Sequence, residues 1–223
     1  MRLHTMTVLA ALALEGCSNG STSSTDPASA PTAPSENASV PAPLSSTELA
    51  QRLLDEGDLG EGYTRTPQRP AAHDHVSVIG CPVLEKLGAD AATGADLDFS
   101  RKGKASFAFL GGDDSAVSEE LYSDSAAKLS KGIGQIFDAM VSCPTYQVAS
   151  GSTVIDMGTQ KTAAPDLGDE QWSQLLTYSV GGQRSVVKQT AVRSGNVLVV
   201  VSGSPGLVDA NLEKALAKAQ APS

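Results

Sequence analysis

From about residue 45 onward the apolar positions recur with two different periods, and the change between them divides the chain. "ELAQRLLDEG" places Leu49, Leu53 and Leu54 on one helical stripe, with Ser45 and Glu48 spaced as a capping box and Gly57 as the expected stop. "CPVLEKLG" predicts a second, short helix with Pro82 in its first turn and Gly88 at its end. In "KASFAFLGG" the period drops to two, so that Ala105, Phe107 and Phe109 share one side of a strand. "AVSEELYS" fits a strand or a helix, and the alternation of Val117, Glu119 and Leu121 favours the strand. The helical period returns in "DSAAKLSKGIGQIFDAMVSC", where Leu129, Ile133, Ile136, Phe137 and Met140 recur at three and four behind Asp124 or Ser125 as cap.

The second half is rich in strands. "STVIDM", "SQLLTYSV", "RSVVKQTAVRSG" and "NVLVVVSG" are separated by turn signals at Gly181-Gly182-Gln183 and at "SGN". Val186, Lys188, Thr190 and Val192 point to one side, and Val187, Gln189, Ala191 and Arg193 to the other. The close spacing of the last three predicts an antiparallel meander. A closing helix in "PGLVDANLEKALAKAQA" carries Val208, Leu212, Ala215, Leu216 and Ala219 on its inner stripe. The expectation is an α+β domain over residues 45–223, an antiparallel sheet with helices packed on one face and one disulfide.

The first 44 residues follow neither period. Arg2 and His4 form a short basic end, and Met6 to Leu14 is an apolar run of signal-peptide length, shorter than the roughly 20 residues of a membrane-spanning helix. Gly16 and then Cys17 follow. Leu14-Glu15-Gly16-Cys17 resembles a bacterial lipobox, in which the cysteine thiol takes a diacylglyceryl group and the signal, residues 1–16, is removed. Glu15 departs from that pattern, because its slot is usually small and uncharged. The rival reading is an ordinary secretory signal with a stray cysteine. Two acyl chains, palmitate-like in character, satisfy the two-signal requirement for stable anchoring. Residues 17–44 then form a tether dense in Ser, Thr, Ala and Pro, with a coil span on the order of 30 Å.

Composition sharpens this picture. Three cysteines leave an odd one, and lipidation of Cys17 leaves Cys81 and Cys143 either to pair in an oxidising compartment or to stand as two buried thiols. The net charge of −9, from 16 basic and 25 acidic residues, disfavours nucleic acid and anionic headgroups as partners. The membrane is therefore held through lipid, on the outer face of the cell membrane, and not through charge.

The runs "GDLGEGYTRTP", "GCPVLEKL", "MVSCPTYQV", "LGDEQW" and "VVKQTAVRSGNVLVVVSG", in that order before a closing helix, resemble the exported sensor-type lipoproteins of actinobacteria. Those are similar to the extracellular domain of mycobacterial PknH-type kinases. The resemblance implies a concave sheet, a disulfide joining helical segments, and a cleft for an unidentified small-molecule or protein ligand. Two departures stand out. PknH-type sensor domains use two disulfides, whereas here only Cys81 and Cys143 are available, and no kinase domain accompanies this sequence, so signalling would need a separate partner protein.

Candidate chemistry is sparse. His73 and His75 are spaced to chelate a metal on an extended segment, but a surface loop is the simpler account. Asp90, Asp96 and Asp98 miss the spacing of a calcium loop. Gly132 and Gly134 lie inside an amphipathic helix rather than after a strand, so they do not form a dinucleotide loop. Neither G-x-S-x-G nor H-E-x-x-H occurs. The candidate ligand contacts are Asp169 and Glu170 in an acidic loop beside Asp166, the aromatics Trp172 and Tyr178, and Arg193 as a partner for the acids. These features favour a non-enzymatic binding module without cofactor or metal. A lipid or hydrophobic-metabolite carrier is the alternative, and an envelope hydrolase a more distant one.

Overall fold

The computed structural model of the chain describes residues 42–68, 76–88, 99–110 and 115–221. Cys17, most of the tether, His73, His75, Asp90, Asp96 and Asp98 lie outside the described residues. The strands are β1 (Tyr63–Arg65), β2 (Val76–Ile79), β3 (Lys102–Phe109), β4 (Ala116–Ser123), β5 (Thr145–Ser150), β6 (Thr153–Lys161), β7 (Glu170–Val180), β8 (Gln183–Ser194) and β9 (Val197–Gly203). The helices are α1 (Ser46–Gln51), α2 (Glu56–Leu59), α3 (Pro82–Leu87), α4 (Ala126–Ser142) and α5 (Pro205–Ala219).

The nine strands of the described residues join one antiparallel sheet in the order β1-β3-β4-β9-β8-β7-β6-β5-β2. The α+β class and the meander β7 through β9 match the sequence expectation, including the division of β8 into Val186, Lys188, Thr190 and Val192 against Val187, Gln189, Ala191 and Arg193. The placement of the helices differs from that expectation, because they cover both faces. Val197, Val199 and Val201 pack with Val208, Leu212, Ala215, Leu216 and Ala219 of α5 and with Leu49 of α1 on a first face. Leu198 and Val200 pack with Leu129, Ile133 and Phe137 of α4 on the second. Successive side chains of a strand point to opposite faces, so a strand apolar at every position needs cover on both.

A third apolar cluster joins α3 and the end of α4 to the second face of β2, β5, β6 and β7, through Leu84, Met140, Tyr146, Val148, Met157 and Leu176. Here Cys81, just before α3, is bonded to Cys143, just after α4, with Cα atoms 5.8 Å apart. The bridge staples the two helical segments across a sequence separation of 62. Full burial of side chains such as Leu84, Leu129 and Leu212 contributes about 1.5–3 kcal/mol each.

The first helix is shorter than its sequence pattern predicts. Ser45 and Glu48 do form the capping box, but α1 ends with Arg52 as C-cap. Asp55 then opens α2 with a capping box of its own, reciprocated by Asp58. Two short helices replace one because Asp55 satisfies the backbone N–H of Asp58, and the N–H of Leu54 turns inward to Glu119.

Candidate functional site

Helix α4 does not cover the whole second face. Beyond it the side chains of β3, β4, β9, β8 and β7 floor an open groove of about 380 Å³, within the range of small-ligand sites. Its walls hold Leu176, Tyr178 and Val187, and its floor holds Lys104, Glu120, Ser106, Ser118, Ser202 and Gln189. Lys104 and Glu120 are register partners on adjacent strands and form an ion pair, and the Tyr122 hydroxyl donates to the other carboxylate oxygen of Glu120. That carboxylate is thus saturated by groups of this chain.

The remaining floor is uncharged and lies in register. Ser106 faces Ser118, Ser118 faces Ser202, Ser202 faces Gln189, and Gln189 faces Gln174. The Gln174 amide donates to Gln189 Oε1 at 3.0 Å and approaches the Met140 sulfur at 3.1 Å. Gln174 is completely buried, and its own carbonyl Oε1 finds no partner among the described residues. The row therefore ends under α4 with an unused acceptor.

The sequence-derived contacts fall in three places. Arg193 donates to Asp169 Oδ2 at 2.9 Å and to Glu170 Oε2 at 3.0 Å. Asp169 also accepts from the N–H of Gly195 at 2.8 Å, and its own N–H donates to the Arg193 carbonyl at 2.7 Å. The Gly195 N–H, and then the Arg193 charge, hold the Asp169 carboxyl below the usual range; hydrogen bonds from Arg193 and Ser130 do the same for Glu170. Gly168, at φ +66°, makes this clasp possible: a Cβ there would lie 2.5 Å from the Arg193 carbonyl oxygen.

Trp172 lies under α4, beside a separate crevice of about 350 Å³ formed with Phe137, Asp138, Val141 and the segment from Lys161 to Ala164. Tyr178 lies in the open groove, six residues further along β7 and so about 20 Å from Trp172. Burial pushes the Tyr178 hydroxyl pKa upward, which keeps it a neutral hydrogen-bonding group. The structure therefore brings Asp169, Glu170 and Arg193 together and sets the two aromatics apart from each other.

Lys104, Glu120, Ser106, Ser118, Ser202 and Gln189 escaped sequence reasoning. Their signal is a run of small polar residues at one parity of strands β3, β4, β8 and β9, which becomes a row only once the register is known. Among the described residues no three His, Cys, Asp or Glu side chains gather into a metal-holding group. Among them, too, no helix is long and apolar enough to cross a membrane.

The arrangement of strands and helices has a counterpart among solved structures. The extracellular domain of PknH from Mycobacterium tuberculosis superposes with a TM-score of 0.57 at 12% identity, covering 78% of this chain and 98% of that one. The two share a fold. An uncharacterized protein from Mycobacterium smegmatis, a Rv0999 ortholog, covers 79% of this chain and 97% of its own at 12% identity, with a TM-score of 0.40. No family model and no curated protein matches the chain.

Proposed function

We propose that this chain is a lipid-anchored binding module on the outer face of the cell membrane, without catalytic activity of its own. Residues 1–16 are the export signal, Cys17 carries the acyl chains, residues 17–44 are the leash, and residues 45–223 bind. The observation that carries the reading is the open groove on the second sheet face, where hydrogen-bonding side chains from five strands line a space the helices leave uncovered. The PknH domain of the same fold is extracellular, which favours the same side of the membrane for this one. Tyr178 contributes to the groove, while Trp172 in its crevice and the Arg193–Asp169–Glu170 clasp are the secondary contacts for a small molecule or a partner protein.

Two measurements test this. Cys17→Ser should move the protein from the membrane to the soluble envelope fraction, and the N-terminal peptide of the parent should carry the mass of its acyl chains. Membrane retention of the variant, with an unmodified parent peptide, overturns the anchoring. Native mass spectrometry of the full chain, extracted gently from its own membranes, reads the second part. A bound mass that Gln189→Leu abolishes supports the binding module; a bare chain under every mild extraction counts against it. A mass of acyl-chain size would instead favour the carrier.

A further inference from the structure

The groove's chemistry narrows its occupant. The row Ser106, Ser118, Ser202, Gln189 offers hydroxyls and an amide, each able to donate and to accept, and no net charge. The Ser118 hydroxyl reaches the Ser202 carbonyl at 3.4 Å, a weak contact that leaves it free to be exchanged for a better partner. The one cation on the floor among the described residues, Lys104, is paired with Glu120, and Glu120 is also held by Tyr122. An anionic ligand would compete with Glu120 for Lys104, against the field of a chain carrying net −9. A cationic ligand would find the carboxylate already engaged.

An acyl chain fits no better. It would bury the row and the amide of Gln189 without giving them hydrogen bonds, a cost of roughly 1–3 kcal/mol for each group. A peptide that recognises a sheet by extending it needs an open edge, whereas this groove lies on the face of interior strands whose backbone groups are already paired. A polyhydroxylated, uncharged ligand matches the row group for group. The wall of Leu176, Val187 and the Tyr178 ring meets the apolar C–H face that a sugar ring presents opposite its hydroxyls. Adjacent strands stand about 4.8 Å apart, so each step along the row is close to the length of one pyranose unit.

We infer that the groove binds a short neutral oligosaccharide, lying across β3, β4, β9 and β8 with its hydroxyls on the Ser106–Ser118–Ser202–Gln189 row and one ring against Tyr178. The buried Gln174 holds Gln189 in place from below, so that the Gln189 amide N–H group faces the ligand while its carbonyl is occupied. This rests on the binding-module reading above and assigns the ligand class to that site.

The test is titration calorimetry of the full chain in detergent with maltotetraose, cellotetraose and mannotetraose, at low and at high salt. Saturable binding of at least one is expected, insensitive to salt because no ion pair forms. Gln189→Leu and Ser202→Val should each weaken it about tenfold, in keeping with the loss of one or two hydrogen bonds. Ser202→Val should melt with the parent, which separates lost contacts from lost fold, whereas Gln189→Leu also strips the buried Gln174 amide of its acceptor and should melt lower. Tyr178→Ala should weaken binding further, whereas Glu213→Gln, an exposed change in α5 on the other face of the sheet, should not. No saturable binding of any of the three overturns the sugar assignment, and so does binding that high salt abolishes. A co-purifying anionic mass in the native spectrum would then leave the binding module standing with another ligand, and an acyl mass would favour the carrier. A bare chain in that spectrum would remove both.

Discussion

The carboxyl of Glu119 accepts a hydrogen bond from the backbone N–H of Leu54 at 2.5 Å, in a position with no exposure to solvent. Its second oxygen has no partner among the described residues. Around it lie the apolar side chains of α1, β4 and α5, with Lys218, Asp58 and Arg65 acting from further off. Burial pushes this carboxyl up to about 7, and the Leu54 N–H opposes that only in part. The folded state therefore binds a proton that the unfolded chain has released. Stability should fall as pH rises from about 4.5 to about 7 and then level off, by an amount on the order of 3 kcal/mol at most. Glu119→Gln keeps an acceptor for Leu54 and should flatten the pH dependence of the urea midpoint in that window.

The Cys81–Cys143 bridge closes a long loop between two helical segments. Chain entropy alone assigns it about 4 kcal/mol. Cys81→Ala with Cys143→Ala should lower the unfolding free energy by roughly 2–4 kcal/mol. Loss should fall on the cluster of Leu84, Met140 and Tyr146 before the cluster under α5. Amide exchange should accelerate in α3 and β2 and stay slow in β9 under mild denaturant.

Two glycines of α4 make opposite predictions. A Cβ at Gly132 would stand 2.7 Å from the ring of the buried Phe99, and one at Gly134 would come no nearer than 3.9 Å, to the Trp172 indole nitrogen. Gly134→Ala should stabilise by about 0.5–1 kcal/mol, because alanine loses less entropy in a helix. Gly132→Ala gains the same propensity but must displace Phe99, and should lose about 1–2 kcal/mol net. Thermal melting of the two single variants reads the difference as a rise in one and a fall in the other.

Arg193 is nearly buried while its partners Asp169 and Glu170 are well exposed. Solvent discounts the pair, so Arg193→Met should cost only about 1 kcal/mol at neutral pH. The depressed carboxyls of Asp169 and Glu170 contribute stability above their unfolded range, and that part is lost as pH falls below about 4. The variant should therefore approach the parent in stability on acidification. Urea midpoints at neutral and acidic pH check it, and faster exchange of the Asp169 N–H should accompany the change.

Much of the fold could be read from the chain because the burial pattern of its elements is regular. Helix α5 places Val208, Leu212, Ala215, Leu216 and Ala219 inward, as its stripe requires, and Ser125 caps α4. The break between α1 and α2 was hidden because Leu53 and Leu54 continue a helical stripe, while the group that turns Leu54 aside is Glu119, 65 residues away. The run Val197 to Val201 has no polar position to interrupt it, a sign of cover on both faces that the expectation of helices on one face passed over. Strands β1 and β5 are short and partly polar, so periodicity says little about them. The groove was illegible for a different reason. Its row is assembled from four strands whose mutual register a single sequence does not contain.

Strand β9 lies between β4 and β8, and it is the sole link in the described sheet between the β1-β3-β4 part and the β8-β7-β6-β5-β2 part. It is also the last of the described strands to be made. A ribosome that has passed Ser194 has produced two sheet fragments with nothing to join them, and β4 waits some 80 residues for its second neighbour. Cooperative folding of the sheet must therefore wait until β9 has been made, and a chain cut after Asn196 keeps two halves rather than a smaller domain.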